Sequence, residues 1–124
     1  MNFEYKLDNN LLTLEDQKEA LKNPYQSYWF AKANIPGSDF KALQTKVCED
    51  PYFAYKFARN IPGADIKYCQ EHACKNSNWA FFFAADIPKS DKEYCFKHSF
   101  PEKEYGPNKW KSEYNKFIMQ KACE

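Results

Sequence analysis

Apolar residues recur through the middle of the chain at helical spacing. Ala54, Phe57, Ala58 and Ile61 stand at i, i+3, i+4 and i+7, and Ala80, Phe83, Ala84 and Ile87 repeat the same face, which is the signature of one side of an α-helix. Further stripes fall between these, first Phe40, Leu43, Gln44, Val47 and Cys48, then Ile66, Cys69, Gln70, Ala73 and Cys74. The segments joining the stripes are copies of one another. Ile35-Pro36-Gly37-Ser38-Asp39 returns as Ile61-Pro62-Gly63-Ala64-Asp65 and as Ile87-Pro88-Lys89-Ser90-Asp91, each time 26 residues on. Upstream, Phe30-Ala31, Phe57-Ala58 and Phe83-Ala84 also match, with one extra residue before Asn34 in the first copy.

Local chemistry divides each copy into helix, tight turn and helix. Asn23-Pro24 and Asp50-Pro51 place a capping side chain ahead of a proline at the first helical position, where the missing N–H costs nothing. Asn76-Ser77 offers the cap in the third copy. The Ile-Pro step disfavours helical geometry at the isoleucine and ends the first helix. Gly37 and Gly63 suit a left-handed residue, whereas Lys89 makes the third turn either strained or less demanding. Ser38 or Asp39, and their equivalents, can cap the second helix. Helices are expected over residues 24–34, 39–48, 51–60, 65–75, 78–86 and 91–99, with no β-sheet.

One such hairpin cannot bury its apolar stripe alone, so copies must stack. The expected fold class is all-α, a single domain forming a short α-solenoid of three stacked helical hairpins, residues 23–49, 50–75 and 76–100. Capping helices should close the ends. Thr13-x-x-Asp16 resembles a capping box opening a polar helix over residues 14–22. After a linker at residues 101–108, Trp110, Tyr114, Phe117 and Ile118 make the apolar stripe of a final helix.

The phrase Ala54-Tyr55-Lys56-Phe57-Ala58-Arg59-Asn60-Ile61-Pro62-Gly63-Ala64-Asp65-Ile66 resembles the helical-hairpin repeats of type YAYxFAxxIPGADI found in bacterial and bacteriophage proteins. The resemblance covers residues 23 to about 100. It implies a repeat type and no shared catalytic residues.

Composition narrows the function. Eighteen basic residues against 17 acidic ones leave a net charge of +1, neither the basic excess of a duplex binder nor the acidic excess of a nucleic-acid mimic. Arg59 is the only arginine, so the fork-shaped donor best matched to phosphate and guanine is nearly absent. The opening residues lack a signal-peptide apolar core and no 18-residue apolar run occurs, so the expected location is cytoplasmic, away from membranes. In that setting the five cysteines are expected to be free thiols, with repeat-equivalent ones too far apart for a disulfide.

Four cysteines fall on the copies. Cys69 and Cys95 take the place of Leu43, and Cys48 and Cys74 that of Phe100, positions where cysteine serves as a small core hydrophobe. The sharper alternative is a metal set: Cys69-x-x-His72 and Cys95-x-x-His98 would give zinc two thiolates and two imidazoles. Against it, equivalent positions on stacked helices lie roughly 8–10 Å apart. Nucleophilic catalysis by a Cys–His pair lacks an oxyanion hole and a third group. No catalytic residue and no cofactor is therefore expected.

Surface aromatics remain. Tyr68 and Tyr94 match Ala42, while His72 and His98 match Lys46, giving a two-by-two patch on the second helices. Trp29 and Phe82 share a position with Lys56 and point away from the core. Exposed aromatics mark interfaces, and the expected function is a non-enzymatic protein-binding module contacting its partner through Tyr68, His72, Tyr94, His98 and Lys46, or through Trp29 and Phe82. A narrower expectation, from small size and the phage resemblance, is a phage-encoded inhibitor docking on a host defence enzyme such as a CRISPR effector. The rivals are a structural zinc-binding protein and a nucleic-acid-associated factor.

Overall fold

A computed structural model describes residues 2–99, and among these every regular element is helical. Helix α1 spans Phe3–Asp8. A 3₁₀ turn at Leu14–Asp16 runs into α2, Gln17–Ala20. The remaining elements are α3 (Pro24–Ala33), α4 (Phe40–Val47), α5 (Pro51–Asn60), α6 (Ile66–Ala73), α7 (Ser77–Asp86) and α8 (Lys92–Ser99). The final helix expected around Trp110 and Ile118 lies outside the described residues. No described helix is long and apolar enough to cross a membrane.

The helix starts follow from capping side chains. Asn23, Asp50 and Asn76 accept backbone N–H groups at the heads of α3, α5 and α7. Asp39, Asp65 and Asp91 do the same for α4, α6 and α8, each at 3.1 Å from the residue three ahead. The aspartate, rather than the serine beside it, is thus the cap of the second helix. Each such cap contributes about 1 kcal/mol.

The three turns close in two ways. Gly37 and Gly63 adopt φ of +81° and +84° after a proline, as position i+2 of a type II turn requires. Lys89 is not left-handed. There the Ser90 hydroxyl donates to the Ile87 carbonyl, and Lys92 Nζ donates to the carbonyls of Ala84 and Ile87 and to Ser90 Oγ. A lysine thereby closes the end of α7. The extra residue of the first copy is absorbed at Asn34, left-handed at φ 55°, so α3 keeps the ten-residue length of α5 and α7.

Each helix packs on its successor, α3 on α4, α5 on α6 and α7 on α8. Neighbouring pairs join twice over: α3, α5 and α7 touch in succession, and α4 meets α5 as α6 meets α7. The main core contains Tyr28, Val47, Phe57, Phe83 and Phe96, and a smaller one joins Phe3, Ala20, Phe30 and Leu43. Phe40 departs from expectation. It is exposed, with its ring on Phe57 at 5.5 Å, because it sits at the turn end, where α4 has only begun to be covered.

Polar ties cross from one pair to the next. Gln17, Gln44 and Gln70 accept the N–H groups of Asp39, Asp65 and Asp91 through Oε1 at 2.7, 2.8 and 2.7 Å. At the offset after Gln70 stands Phe96, fully buried, and the ladder ends there. Asn60 donates to the Tyr28 hydroxyl at 3.0 Å, and the Tyr55 hydroxyl donates to Asp86.

The N-terminal segment differs in detail from the single helix expected over residues 14–22. The capping box forms, with the Thr13 N–H donating to Asp16 at 2.8 Å. The helix then ends at Ala20, because Asn23 must be extended (φ −153°) to cap α3. Lys6 pairs with Asp16 at 2.7 Å and holds that carboxyl below its ordinary value, aided by the Thr13 backbone N–H. Helix α1, not anticipated, is started by Asn2, which accepts the Tyr5 N–H at 2.8 Å, and buries Phe3.

Candidate functional site

The four cysteines among the described residues lie in the core, as their exchange with Leu43 and Phe100 implied: Cys48, Cys69, Cys74 and Cys95 are all buried. What the 26-residue offset did not show is their pairing. Cys48 Sγ lies 3.6 Å from Cys69 Sγ, and Cys74 Sγ lies 3.6 Å from Cys95 Sγ. The contact with the partner thiol, followed by burial, pushes Cys69 and Cys95 far above the usual thiol range, opposite to what a metal thiolate or nucleophile needs. Cys69 therefore faces Cys48 and not Cys95. The histidines turn elsewhere: His72 packs at a tilt against Tyr68, with Lys75 Nζ donating to its Nδ1 at 3.2 Å, and His98 Nδ1 lies 2.9 Å from the Tyr94 carbonyl. The set Cys69, His72, Cys95 and His98 is not brought together, and among the described residues no group of three or more His, Cys, Asp or Glu could hold a metal.

The two-by-two patch forms as two ring pairs in tilted contact. Tyr68 and His72 have ring centroids 4.6 Å apart, Tyr94 and His98 4.3 Å. Both tyrosines are half-buried against the core. Two lysines of this ridge are paired, Lys46 to Glu49 at 3.0 Å and Lys97 to Glu93 at 3.8 Å, while Lys75 meets His72.

The layer of first helices is different. Reading across α3, α5 and α7, one row holds Tyr25, Tyr52 and Asn78, the next Trp29, Lys56 and Phe82, and the next Lys32, Arg59 and Ala85. These positions contain no carboxylate. Ring contacts run without a break from Tyr25 through Trp29, Tyr28, Phe53, Tyr52 and Trp79 to Phe82. Tyr25 and Phe82, at the two ends, are 42% and 43% exposed, large for aromatic side chains in a folded chain. Lys56 Nζ stands over Tyr28, Trp29 and Tyr52 at 5.0, 5.2 and 5.7 Å, and Arg59 overhangs Tyr55. Carboxylates stand beside these rows and not in them: Asp86 at the end of α7 accepts the Tyr55 hydroxyl, and Glu4 of α1, by hydrogen bonding, raises the pKa of Tyr25.

Two clefts open at the turn ends beside this layer. One of about 360 Å³ lies between Lys32, Phe40 and Pro62, the other of about 470 Å³ between Arg59, Ile66 and Pro88. Neither gathers an acid and a base with a nucleophile, so neither supports a reaction by itself.

No family model matches the chain, and neither a curated protein nor a solved structure matches it.

Proposed function

We propose that the chain is a short α-solenoid of three helical hairpins acting as a non-enzymatic protein-binding module, with the layer of first helices as its working face. The observation that carries this is the exposure of Tyr25 and Phe82 at the two ends of an aromatic ribbon across α3, α5 and α7 that is anchored in the core through Tyr28. Aromatic side chains give large contact area for few ordered rotors and dominate the energetics of interfaces. Stacked copies set equivalent residues in strips, so a partner meets a row of them together. The resemblance to bacterial and phage hairpin repeats agrees with this class. The narrower proposal, a phage inhibitor of a host defence enzyme, falls inside it.

A second reading keeps the partner but moves the contact to Tyr68, His72, Tyr94 and His98, favoured by the duplicated tyrosine–histidine ring contacts. Affinity purification from the native host separates the two. Wild type and the Tyr68→Ala/Tyr94→Ala variant should retain a stoichiometric protein that Trp29→Ala/Phe82→Ala loses. Loss in the ridge variant alone would move the site to the second helices, and retention by both variants would sink both readings.

A further inference from the structure

The first-helix face carries lysine charge that no carboxylate among the described residues neutralises. Lys32 Nζ stands 5.1 Å and Lys56 Nζ 5.2 Å from the centroid of the Trp29 ring, and both overhang Tyr28 as well. Like charges gathered at one indole repel each other. The ion pairs among the described residues involve neither of these lysines, while each lysine of the second-helix ridge at positions 46 and 97 has its glutamate. Cation–π contact holds the ammonium groups in place but leaves their charge uncompensated.

Beside them lies an apolar cleft of about 280 Å³, walled by Leu7, Leu12, Trp29 and Ile35 and with Lys32 in its lining. The volume is below the roughly 300–1,000 Å³ of small-molecule sites. It suits one apolar side chain better than a cofactor. Helix α1 supplies Leu7, α3 supplies Trp29, Lys32 and Ala33, and the loops after them supply Asn10, Leu12 and Ile35.

We infer that this face binds a segment of a partner protein in which an apolar residue is flanked by carboxylates. The apolar side chain enters the Leu7–Leu12–Ile35 cleft, and the carboxylates lie against Lys32 and Lys56. This rests on the protein-binding reading and adds to it the chemistry of the partner. Charge complementarity selects an acidic segment and excludes wrong ones by like-charge cost. Nucleic acid is the other polyanion to weigh. It would need free ring faces for base stacking and a broad basic field, whereas Lys32 and Lys56 already occupy the ring faces and the net charge is +1.

The probe is an acetylated, amidated peptide Asp-Glu-Leu-Phe-Glu-Asp, titrated into the isotope-labelled full chain. Its amide counterpart Asn-Gln-Leu-Phe-Gln-Asn and a single-stranded oligothymidine are the controls. The acidic peptide should shift the Trp29 indole and the backbone resonances of Leu12, Lys32 and Ile35. Lys32→Gln/Lys56→Gln should weaken it roughly tenfold, since rim charges of this kind act through screened contacts, with unchanged circular dichroism. Equal shifts from the amide peptide would overturn the inference, as would tighter binding of oligothymidine at these resonances, or no shift there at millimolar peptide. If the peptide fails while Trp29→Ala/Phe82→Ala still abolishes partner capture, the acidic partner is wrong and the module stands. If capture survives that variant, the working face itself is wrong.

Discussion

Gln70 shows how much one side chain holds between neighbouring helix pairs. It is 6% exposed, and its Oε1 accepts the Asp91 N–H at 2.7 Å. Gln70→Leu keeps the volume and leaves that N–H without its acceptor, at a cost of about 1–3 kcal/mol. Gln17 makes the same bond at an exposed site, where water can replace it, so Gln17→Leu should cost much less. Urea midpoints for the two variants check the order, and an equally stable Gln70→Leu protein would show the ladder to be passive. His72 gives a second test. Burial, then the neighbouring Lys75, lowers its pKa from the ordinary 6.5. The unfolded chain thus takes up this proton at a higher pH than the folded chain. Stability from this group rises with pH through the window below 6.5 and is lost as pH falls through it. His72→Gln should flatten that part of a stability–pH profile, and an unchanged slope would assign it to other groups.

At the scale of the elements, the turns separate backbone demand from side-chain chemistry. A Cβ at Gly63 would meet only Phe40 Cζ, at 4.0 Å, so Gly63→Ala isolates the left-handed backbone cost of about 1–2 kcal/mol. Lys89→Gly should also destabilise, by about 0.4–1 kcal/mol, because it frees the unfolded chain where the native turn needs no glycine. Thermal melts of both variants test this, and a stabilised Lys89→Gly protein would contradict it. The helices of the copies are legible in the sequence because Asn and Asp caps start all six and Ile-Pro steps stop the first of each pair by local sterics. Helix α1 was missed although Asn2 three residues before Tyr5 is a cap and Phe3 and Leu7 share a face. The thiol pairs were missed for a different reason. A fixed offset shows which residues are equivalent, but contact joins unlike positions, so Cys69 meets Cys48 and not Cys95. The candidate face was half visible. Trp29, Lys56 and Phe82 share a repeat position in the sequence, whereas Lys32 and Arg59, one turn further along, join that surface only in the fold.

In the whole molecule the buried thiols sit where one helix pair meets the next, and they report how it comes apart. Cys48, capping the end of α4, meets Cys69 of α6 at the joint between the first and second pairs, and Cys74, capping the end of α6, meets Cys95 of α8 at the joint between the second and third. Parting one joint exposes one pair and leaves each helix packed on its own partner. Freeing α6 alone would expose Cys69 and Cys74 together, but it breaks both joints and strands a helix of eight residues, far below the ~12–15 needed to persist alone. Opening by joints is therefore the cheaper route, and sub-global openings are populated by their cost. Native-state alkylation followed by peptide mapping should show Cys48 and Cys69 reacting at one rate and Cys74 and Cys95 at another. Once opened, each thiol regains an ordinary environment, so its folded-state pKa does not decide the order. Matching rates for Cys69 and Cys74, different from those of Cys48 and Cys95, would make the helix and not the joint the unit of opening.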